Sequence, residues 1–229
     1  MEDIFGQALH DHYKGTKRNK LWINNRYGAK EEMPLDVYFR TEEEMPDLEL
    51  IALQHCYGKV LDVGAGAGSH ALILQQQGLD VTAMDISGLA VSIMQERGVS
   101  NAISADIFDF NLTRYDTLLL MMNGIGLTGT IQRFNQFLKH AEELLNIGGQ
   151  LIFDSSDVAY LYDNPLPHSE RYYGEIAYQY AYKGKKTDWF NWLYIDKNQL
   201  IATSAAAGWK AEIIYEDDMD QYLARLTRA

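Results

Sequence analysis

Short apolar runs alternate with longer amphipathic segments along the chain from Lys59 onward. The apolar runs predict strands at residues 59–63, 79–84, 100–105, 117–122 and 150–154. Apolar positions at helical spacing predict helices between them, at residues 69–77, 87–97 and 131–145. This alternation is typical of βαβ units, in which helices join parallel strands. The run 117–122 is almost wholly apolar, so we expect it in the centre of the sheet.

The pattern changes after the fifth strand. A polar loop with prolines at residues 164–168 precedes two aromatic stretches, 176–182 and 189–195, which flank a turn containing Gly184 and predict a hairpin. A helix at 198–207 and one further strand at 211–215 follow. We predict an α/β fold with a doubly wound, seven-stranded, mostly parallel sheet and an antiparallel strand near the end.

The first 57 residues lack the alternation and contain many polar and aromatic residues. We interpret residues 1–57 as an N-terminal helical cover, or lid, over one edge of the sheet. Residues 58–229 are then one globular unit of ordinary domain size. The sequence does not indicate an oligomeric state.

Three glycines at alternate positions follow the first predicted strand directly. They are Gly64, Gly66 and Gly68, with Ala65 between the first two and Asp62 two residues before them. A turn of this kind lets the backbone approach a bulky, polar ligand without obstruction by Cβ atoms. The alternative is a tight turn between strand and helix that binds nothing.

A carboxylate, Asp85, stands at the end of the second predicted strand. A carboxylate there can accept hydrogen bonds from both hydroxyls of a ribose, so the loop and the acid together indicate a nucleoside. A nicotinamide or flavin dinucleotide uses similar features, but its G-x-G-x-x-G pattern requires glycine at position 69, where this chain has Ser69. Asp62 also has no place in that pattern.

Residues 60–68 resemble motif I of the class I, Rossmann-like, S-adenosylmethionine-dependent methyltransferases, and residues 81–87 resemble their second motif. The resemblance implies S-adenosyl-L-methionine as the cofactor, with the glycine loop against its methionine part. It also implies that Asp85 binds the ribose and that Asp106 binds the adenine amino group. The stretches 34–40, 189–195 and 208–209 resemble a group of uncharacterised small bacterial members of this family.

Three further positions are candidates for cofactor contacts. Ile86 belongs to the second motif, and Ile107 offers an apolar surface for the adenine ring beside Asp106. Asn123 follows the central strand at the carboxyl end of the sheet, where α/β folds bind their ligands.

The composition limits the classes of partner. The formal charge of −12 opposes binding to nucleic acid, and no apolar stretch approaches the length of a membrane helix. The single cysteine, Cys56, and the start Met1-Glu2-Asp3 favour a cytoplasmic location. The histidines and the cysteine do not form a zinc pattern, so no metal is expected.

The methyl acceptor is not identified by the sequence, although the charge and aromatic content favour a neutral or cationic small molecule. No catalytic residue is assigned. Asp154, Asp157 and His168 are the nearest candidates for a general base, but a capping or surface role is the favoured interpretation of each. The aromatic residues of the predicted hairpin form either an acceptor pocket or ordinary strand packing.

The sequence therefore predicts an enzyme that transfers a methyl group from S-adenosylmethionine to an unidentified acceptor. Two alternatives stay open at this point: an NAD-dependent oxidoreductase, and a non-catalytic member of the methyltransferase fold that only binds a ligand.

Overall fold

A computed structural model describes residues 2–16, 19–162 and 171–229. Within these ranges the α-helices are α1 (Ile4–Tyr13), α2 (Asp47–His55), α3 (Ser69–Gln76), α4 (Gly88–Arg97), α5 (Ile131–Leu144) and α6 (Lys197–Ala206). The strands are β1 (Leu21–Asn25), β2 (Glu31–Met33), β3 (Lys59–Val63), β4 (Asp80–Asp85), β5 (Ala102–Ser104), β6 (Tyr115–Leu120), β7 (Leu145–Ser156), β8 (Glu175–Tyr182), β9 (Lys185–Lys186), β10 (Phe190–Leu193), β11 (Trp209–Glu216) and β12 (Gln221–Arg228). Short 3-10 helices occur at Asp36–Phe39, Glu42–Glu44, Gly124–Thr128 and Ala159–Leu161.

The main sheet has seven strands in the order β11-β12-β7-β6-β3-β4-β5. The five strands from β7 to β5 pair in parallel, and β12 runs antiparallel to both of its neighbours. The prediction of a doubly wound, seven-stranded and mostly parallel sheet with an antiparallel strand near the end is confirmed.

Strand β6 shows why the central apolar run lies in the middle of the sheet. Leu118 and Leu120 pack into the cluster that contains α5 and α6, whereas Leu119 packs into the cluster on the opposite face, which contains α2, α3 and α4. Because alternate side chains meet helices on opposite faces, Leu118, Leu119 and Leu120 are apolar in succession. All three leucines are fully buried.

The helices that frame the site begin and end at expected residues. The Ser87 hydroxyl accepts a hydrogen bond from the Ala90 N–H at the start of α4, and Thr130 does the same for Arg133 at the start of α5. Gly98 ends α4 in the left-handed conformation (φ 97°). These local signals explain why α4 and α5 were predicted within a residue of their bounds.

Strand β12 was absent from the prediction, which had one strand after the last helix. β12 follows β11 in the chain but inserts between β11 and β7. Its side chains Tyr222, Ala224 and Leu226 pack into the same cluster as α5, while Leu223 packs on the other face. A partner as distant as β7 leaves little trace in the local pattern.

The second sheet corrects the description of the N-terminal segment. Its strands follow the order β10-β8-β1-β2, with β9 paired to β8, and all pairs are antiparallel. The segment predicted as a helical cover, residues 1–57, contains α1 and α2 but also contributes the strands β1 and β2. Strand β1 pairs with β8, with Ile23 opposite Tyr180. The predicted hairpin exists, as β8 and β10, but the predicted loop at residues 164–168 lies outside the described residues.

Helix α1 lies between the two sheets. Its side chains Ile4, Ala8 and Leu9 pack with Leu21 of β1 and Ile93 of α4 in a third apolar cluster. The N-terminal segment therefore connects the second sheet to the loop region after β4, which carries one of the predicted site residues.

Candidate functional site

A cavity of about 710 Å³ opens at the carboxyl ends of β3, β4 and β6, between the main sheet and the second sheet. This volume lies in the ordinary range for small-molecule sites. The structure brings nearly all of the predicted cofactor residues together in its lining: Asp62, Gly64, Ala65, Gly66, Asp85, Ile86, Asp106, Ile107 and Asn123.

Gly68 is the predicted site residue that does not line the cavity. It precedes α3 in the left-handed conformation (φ 80°), and a Cβ atom there would lie 2.9 Å from side-chain atoms of both Met94 and Val99. Its position fits a role in the turn and in packing α3 against α4, rather than direct contact with a ligand.

The glycine loop folds back onto β4. The N–H groups of Gly64 and Ala65 both donate to the Met84 carbonyl, at 2.8 and 2.9 Å. Gly64 has a φ of 72°, and the space where its Cβ would lie is open. At Gly66 the Tyr38 ring comes within 3.3 Å of the Cβ position. The loop therefore offers bare backbone to a ligand on one side and supports an aromatic ring on the other.

Asp85 lies at the end of β4 with only 7% of its surface exposed. One carboxylate oxygen accepts the Gly66 N–H at 2.9 Å and the other accepts the Ser87 N–H at 2.8 Å. Burial raises the pKa of Asp85 to about 6, although these two backbone groups oppose the rise. Each oxygen keeps a second lone pair that can accept a ribose hydroxyl.

Asp62 and Asn123 carry buried oxygens that lack a partner among the described residues. These are Asp62 Oδ2 and Asn123 Oδ1. Asn123 is oriented by its amide group, which donates to the Leu193 carbonyl at 3.2 Å. Burial raises the pKa of Asp62 to about 6, while nearby His70 opposes the rise. Both residues line the cavity, and their unpaired acceptors fit a ligand with N–H donors, such as the ammonium group of the methionine part of S-adenosylmethionine.

A buried ionic cluster beside the glycine loop was missed by the sequence analysis. Glu49 of α2 pairs with Arg40 Nη2 at 3.0 Å and with His70 Nε2 of α3 at 2.8 Å. Burial opposes the charged form of His70, but the hydrogen bond to Glu49 and the nearby Asp62 carboxylate raise its pKa. Both Glu49 and His70 line the cavity. Their separation in sequence gives no local motif, which is why spacing did not reveal them.

Asp106, Ile107 and Ile86 lie at another part of the cavity lining. Asp106 Oδ1 accepts the Phe108 N–H at 3.0 Å, which leaves the other carboxylate oxygen for a donor such as an amino group. Ile107 is buried, whereas 74% of the Ile86 surface is exposed although it borders the cavity. An apolar side chain left uncovered at a cavity suits contact with a flat ring.

The end of β6 leads into unusual backbone at the site. Met122 and Asn123 both have positive φ, 61° and 55°, which non-glycine residues rarely adopt. Asp154 of β7 holds this turn: its Oδ2 accepts the Asn123 N–H at 2.8 Å and the Gln221 side-chain N–H at 3.0 Å. Burial raises the pKa of Asp154 to about 6.

Two of the three candidates for a general base do not line the cavity, and the third lies outside the described residues. Asp154 is fully buried and supports Asn123, so it acts on the turn rather than on the cavity space. Asp157 accepts the Ala159 N–H and the Tyr173 hydroxyl, both at 2.8 Å, and neither it nor Asp154 lines the cavity. His168 lies outside the described residues.

An aromatic wall lines the cavity on the side of the second sheet. It combines residues of β8 and β10 with one residue of α1 and one that follows β10, and we define it as Phe5, Tyr178, Tyr180, Phe190, Trp192 and Tyr194. Tyr178 pairs with Phe190 across the strands, and Tyr180 pairs with Ile23 of β1, so these side chains share one face of the sheet. Tyr182, two residues further on the same face, is buried against α1 instead. Trp189 is half-exposed and does not line the cavity.

None of the helices in the described ranges is long and apolar enough to cross a membrane. Across the same 2–16, 19–162 and 171–229 ranges, no group of three or more His, Cys, Asp or Glu side chains is arranged to hold a metal ion.

Comparison with known proteins identifies the family of this chain. A family model described as a methyltransferase domain matches residues 60–149. A crystal structure of an S-adenosylmethionine-dependent methyltransferase from Bacteroides fragilis, in complex with S-adenosyl-L-homocysteine, is 41% identical. That match covers 99% of this chain and 95% of the other, with a TM-score of 0.92.

More distant matches agree in fold. The CcbJ methyltransferase of Streptomyces caelestis is 15% identical, with a TM-score of 0.64 over 85% of this chain and 95% of that one. A sugar N-methyltransferase of a Streptoalloteichus species is 16% identical, with a TM-score of 0.59 over 90% of this chain and 97% of that one. A curated protein from Geobacillus sp. (strain WCH70), whose name designates it a methyltransferase, is 26% identical over 102 residues. This last match spans 42% of this chain and 41% of the relative.

The Bacteroides fragilis relative shares both sequence and fold over nearly its whole length. The cofactor of the family is S-adenosylmethionine, so the alternative of an NAD-dependent oxidoreductase has no support from these relatives. The chain belongs to the class I S-adenosylmethionine-dependent methyltransferases.

Proposed function

We propose that this protein transfers the methyl group of S-adenosylmethionine to a small-molecule acceptor that binds between the glycine loop and the aromatic wall. The observation that carries the proposal is the single cavity lining that joins the two surfaces. Asp62, Gly64 and Asp85 border one side, and Tyr180 and Phe190 border the other. Both a nucleoside and a second molecule can therefore reach the same enclosed space.

The residues that would hold the cofactor follow from their unused hydrogen-bonding capacity. Asp85 would accept the ribose hydroxyls, Asp106 would accept the adenine amino group, and Ile86 and Ile107 would contact the adenine ring. The unpaired oxygen of Asp62, together with that of Asn123, would accept the ammonium group of the methionine part. The open space beside the Gly64 backbone leaves room for the chain of atoms between ribose and sulfonium, and Ala65 and Gly66 of the same loop also line the cavity. Gly68 would act through the turn.

S-adenosylmethionine supplies a methyl group that is already activated as a sulfonium, so transfer is an in-line displacement that depends mainly on alignment. The protein contributes by positioning the acceptor and by excluding water from the cavity. Tyr178 and Tyr180, half-buried in the aromatic wall, limit where an acceptor can lie. No side chain is assigned as a general base.

The N-terminal segment 1–57 is proposed as the cover of this cavity, although it shares a sheet with β8. Asp3 and Phe5 of this segment line the cavity. Asp3 accepts a hydrogen bond of 2.6 Å from the hydroxyl of Ser87, which lies two residues after Asp85. This contact supports a cover that responds to the cofactor. We also propose a cytoplasmic location, on the grounds of the single cysteine and low cysteine usage.

The experiment is isothermal titration of the purified protein with S-adenosylhomocysteine, and with NAD as the comparison. We expect micromolar binding of S-adenosylhomocysteine and no binding of NAD. Binding of NAD alone would overturn the proposal. The non-catalytic alternative is tested next, by mass spectrometry of the same protein with S-adenosylmethionine and a panel of small acceptors; absence of methylated product across the panel would favour it.

A further inference from the structure

The aromatic wall is a connected set of rings. Phe5 stacks on Tyr180 with centroids 5.5 Å apart, and Tyr180 lies 5.0 Å from Phe190. Phe190 in turn contacts Trp192 at 6.4 Å and Tyr178 at 6.5 Å. These side chains are only partly buried in the protein, so their remaining surface faces the cavity that they line. A wall of this size offers several ring faces to one bound molecule.

The tyrosines of the wall are electrically neutral. The Tyr178 hydroxyl donates to that of Tyr194 at 3.3 Å. Burial raises the pKa of Tyr178, Tyr180 and Tyr194 above the ordinary value, so all three keep their protons near pH 7. The wall therefore acts through ring faces and hydroxyl dipoles rather than through charge.

The charged groups of the cavity lining are mostly acidic. The carboxylates are Asp3, Glu49, Asp62, Asp85 and Asp106. Among the described residues of the lining, the basic side chains are His70 and Arg133.

Both basic side chains make contacts within the protein. His70 pairs with Glu49 at 2.8 Å, and the Arg133 guanidinium lies 4.4 Å from the centroid of the Phe108 ring. The carboxylates outnumber the basic side chains in the lining, which disfavours an anionic acceptor, and a cation can use the ring faces of the aromatic wall. The formal net charge of −12 also favours a cationic acceptor over an anionic one.

On the basis of the proposed function, we infer that the methyl acceptor is a small organic amine, which the aromatic wall binds as its ammonium ion through cation–π contacts. Before transfer the ammonium releases one proton to solvent. The nitrogen lone pair then forms the C–N bond as the C–S bond breaks, and the two electrons of the C–S bond stay on sulfur. The products are an N-methylated ammonium ion and S-adenosylhomocysteine, so charge and atoms balance.

The test uses the complex with S-adenosylhomocysteine, titrated with three probes that share one ring and differ in charge: benzylamine, benzyl alcohol and benzoate. We expect benzylamine to bind about fivefold more tightly than benzyl alcohol and about tenfold or more than benzoate. Equal or tighter binding of either other probe, or failure of all three to bind, would overturn the inference. Failure of S-adenosylhomocysteine itself to bind would instead overturn the proposed function.

Substitutions in the aromatic wall test where the amine binds. Phe190→Leu removes a ring of the wall and should weaken benzylamine about fivefold, whereas Trp189→Leu removes a neighbouring ring outside the cavity and serves as the matched control. Tyr180→Leu should resemble Phe190→Leu, and Tyr180→Phe, which keeps the ring, should restore binding. Equal losses in Phe190→Leu and Trp189→Leu would contradict the assignment. Affinity for S-adenosylhomocysteine, measured for each variant, shows that the site is folded.

Discussion

At the scale of single residues, Asp85 combines two tasks. It fixes the glycine loop through the Gly66 N–H and begins the turn into α4 through the Ser87 N–H. The same carboxylate faces the cavity, so the residue that shapes the loop is also the one proposed to bind ribose. This arrangement predicts that the shape of the loop and the affinity for the cofactor change together.

Replacement of Asp85 tests that link. Asp85→Ala removes two charge-assisted acceptors, and we expect S-adenosylhomocysteine to bind at least about tenfold more weakly, because a hydrogen bond to a charged group contributes roughly 1.5–3 kcal/mol. Titration calorimetry measures the change. Asp109→Ala, an exposed acid outside the cavity, is the matched control and should bind as the wild type does. An unchanged affinity in Asp85→Ala would exclude Asp85 from the site.

The buried Asp154 predicts a pH dependence of stability. Its pKa is raised by burial to about 6 in the folded chain, so it adds stability below about pH 4 and loses that contribution as the pH rises through about 6. Relative to Asp154→Asn, the wild type should therefore show a falling free energy of unfolding between these values in urea titrations. A difference between the two proteins that is flat or rises with pH would contradict the assignment.

A second acid, Asp116, predicts a pH dependence of stability with the opposite sign. Asp116 accepts hydrogen bonds from the Lys59 N–H and the Asn146 side chain, which hold its pKa below the ordinary value. Its contribution is present above the ordinary pKa of an aspartate and is lost as the pH falls. The wild type compared with Asp116→Asn should thus lose its advantage below about pH 4.

The residues of the cofactor side were predictable because they follow one another closely in the chain. Asp62 lies near the end of β3, Gly64 and Gly66 follow it in one turn, and Asp85 ends the next strand. The pair of Glu49 and His70 was not predictable, because the ion pair joins α2 to α3 across the fold and neither residue belongs to a local pattern. Gly68 shows the limit of a motif: it has the expected residue type but supports packing instead of lining the cavity.

At the scale of elements, the contact between the 3-10 helix Gly124–Thr128 and β10 joins the two sheets. Gly126 lies so close to Trp192 that a Cβ atom would come 1.9 Å from Trp192 Nε1. A glycine is therefore required there for lack of space, although its backbone conformation is ordinary. The indole of the aromatic wall rests on this position.

Gly126→Ala should displace Trp192 and lower the free energy of unfolding by about 1–3 kcal/mol, the usual cost of overpacking. Urea denaturation measures the loss, and tryptophan fluorescence should change with it. Gly88→Ala, at the first residue of α4 where no atom lies within 4 Å of the added Cβ, is the control and should be neutral or stabilising. Similar losses for both substitutions would argue against this contact.

The elements also show which parts of the fold a local pattern reveals. Strands β3, β4 and β6 and helices α4 and α5 were predicted with nearly correct bounds, because apolar period and capping residues are local. Strands β1, β2 and β12 were not predicted. Strands β1 and β12 owe their places to partners far away in the chain, as with Ile23 opposite Tyr180 and Leu223 opposite Asp154, and the three-residue β2 is an edge strand that pairs with β1.

At the scale of the whole molecule, the cavity is built by the N-terminal segment, by strands β8 and β10 of the second sheet and by the main sheet. If residues 1–57 act as a cover, binding of S-adenosylhomocysteine should slow amide hydrogen exchange in α1 and β1 as well as in the glycine loop. Helix α6, which does not line the cavity, provides the internal control. Protection confined to residues 62–68 would show that the segment does not respond to the cofactor.

The place of β12 has a consequence for synthesis on the ribosome. Sixty-five positions separate Ser156, the last residue of β7, from Gln221, the first of β12. During translation the edge of β7 stays unpaired for roughly 3 to 13 seconds, at 5–20 residues per second. That edge carries the fully buried Leu151 and Phe153, so a nascent chain exposes an apolar strand that invites wrong partners. We expect the yield of folded protein to depend on chaperone supply more than the stability of the finished fold suggests.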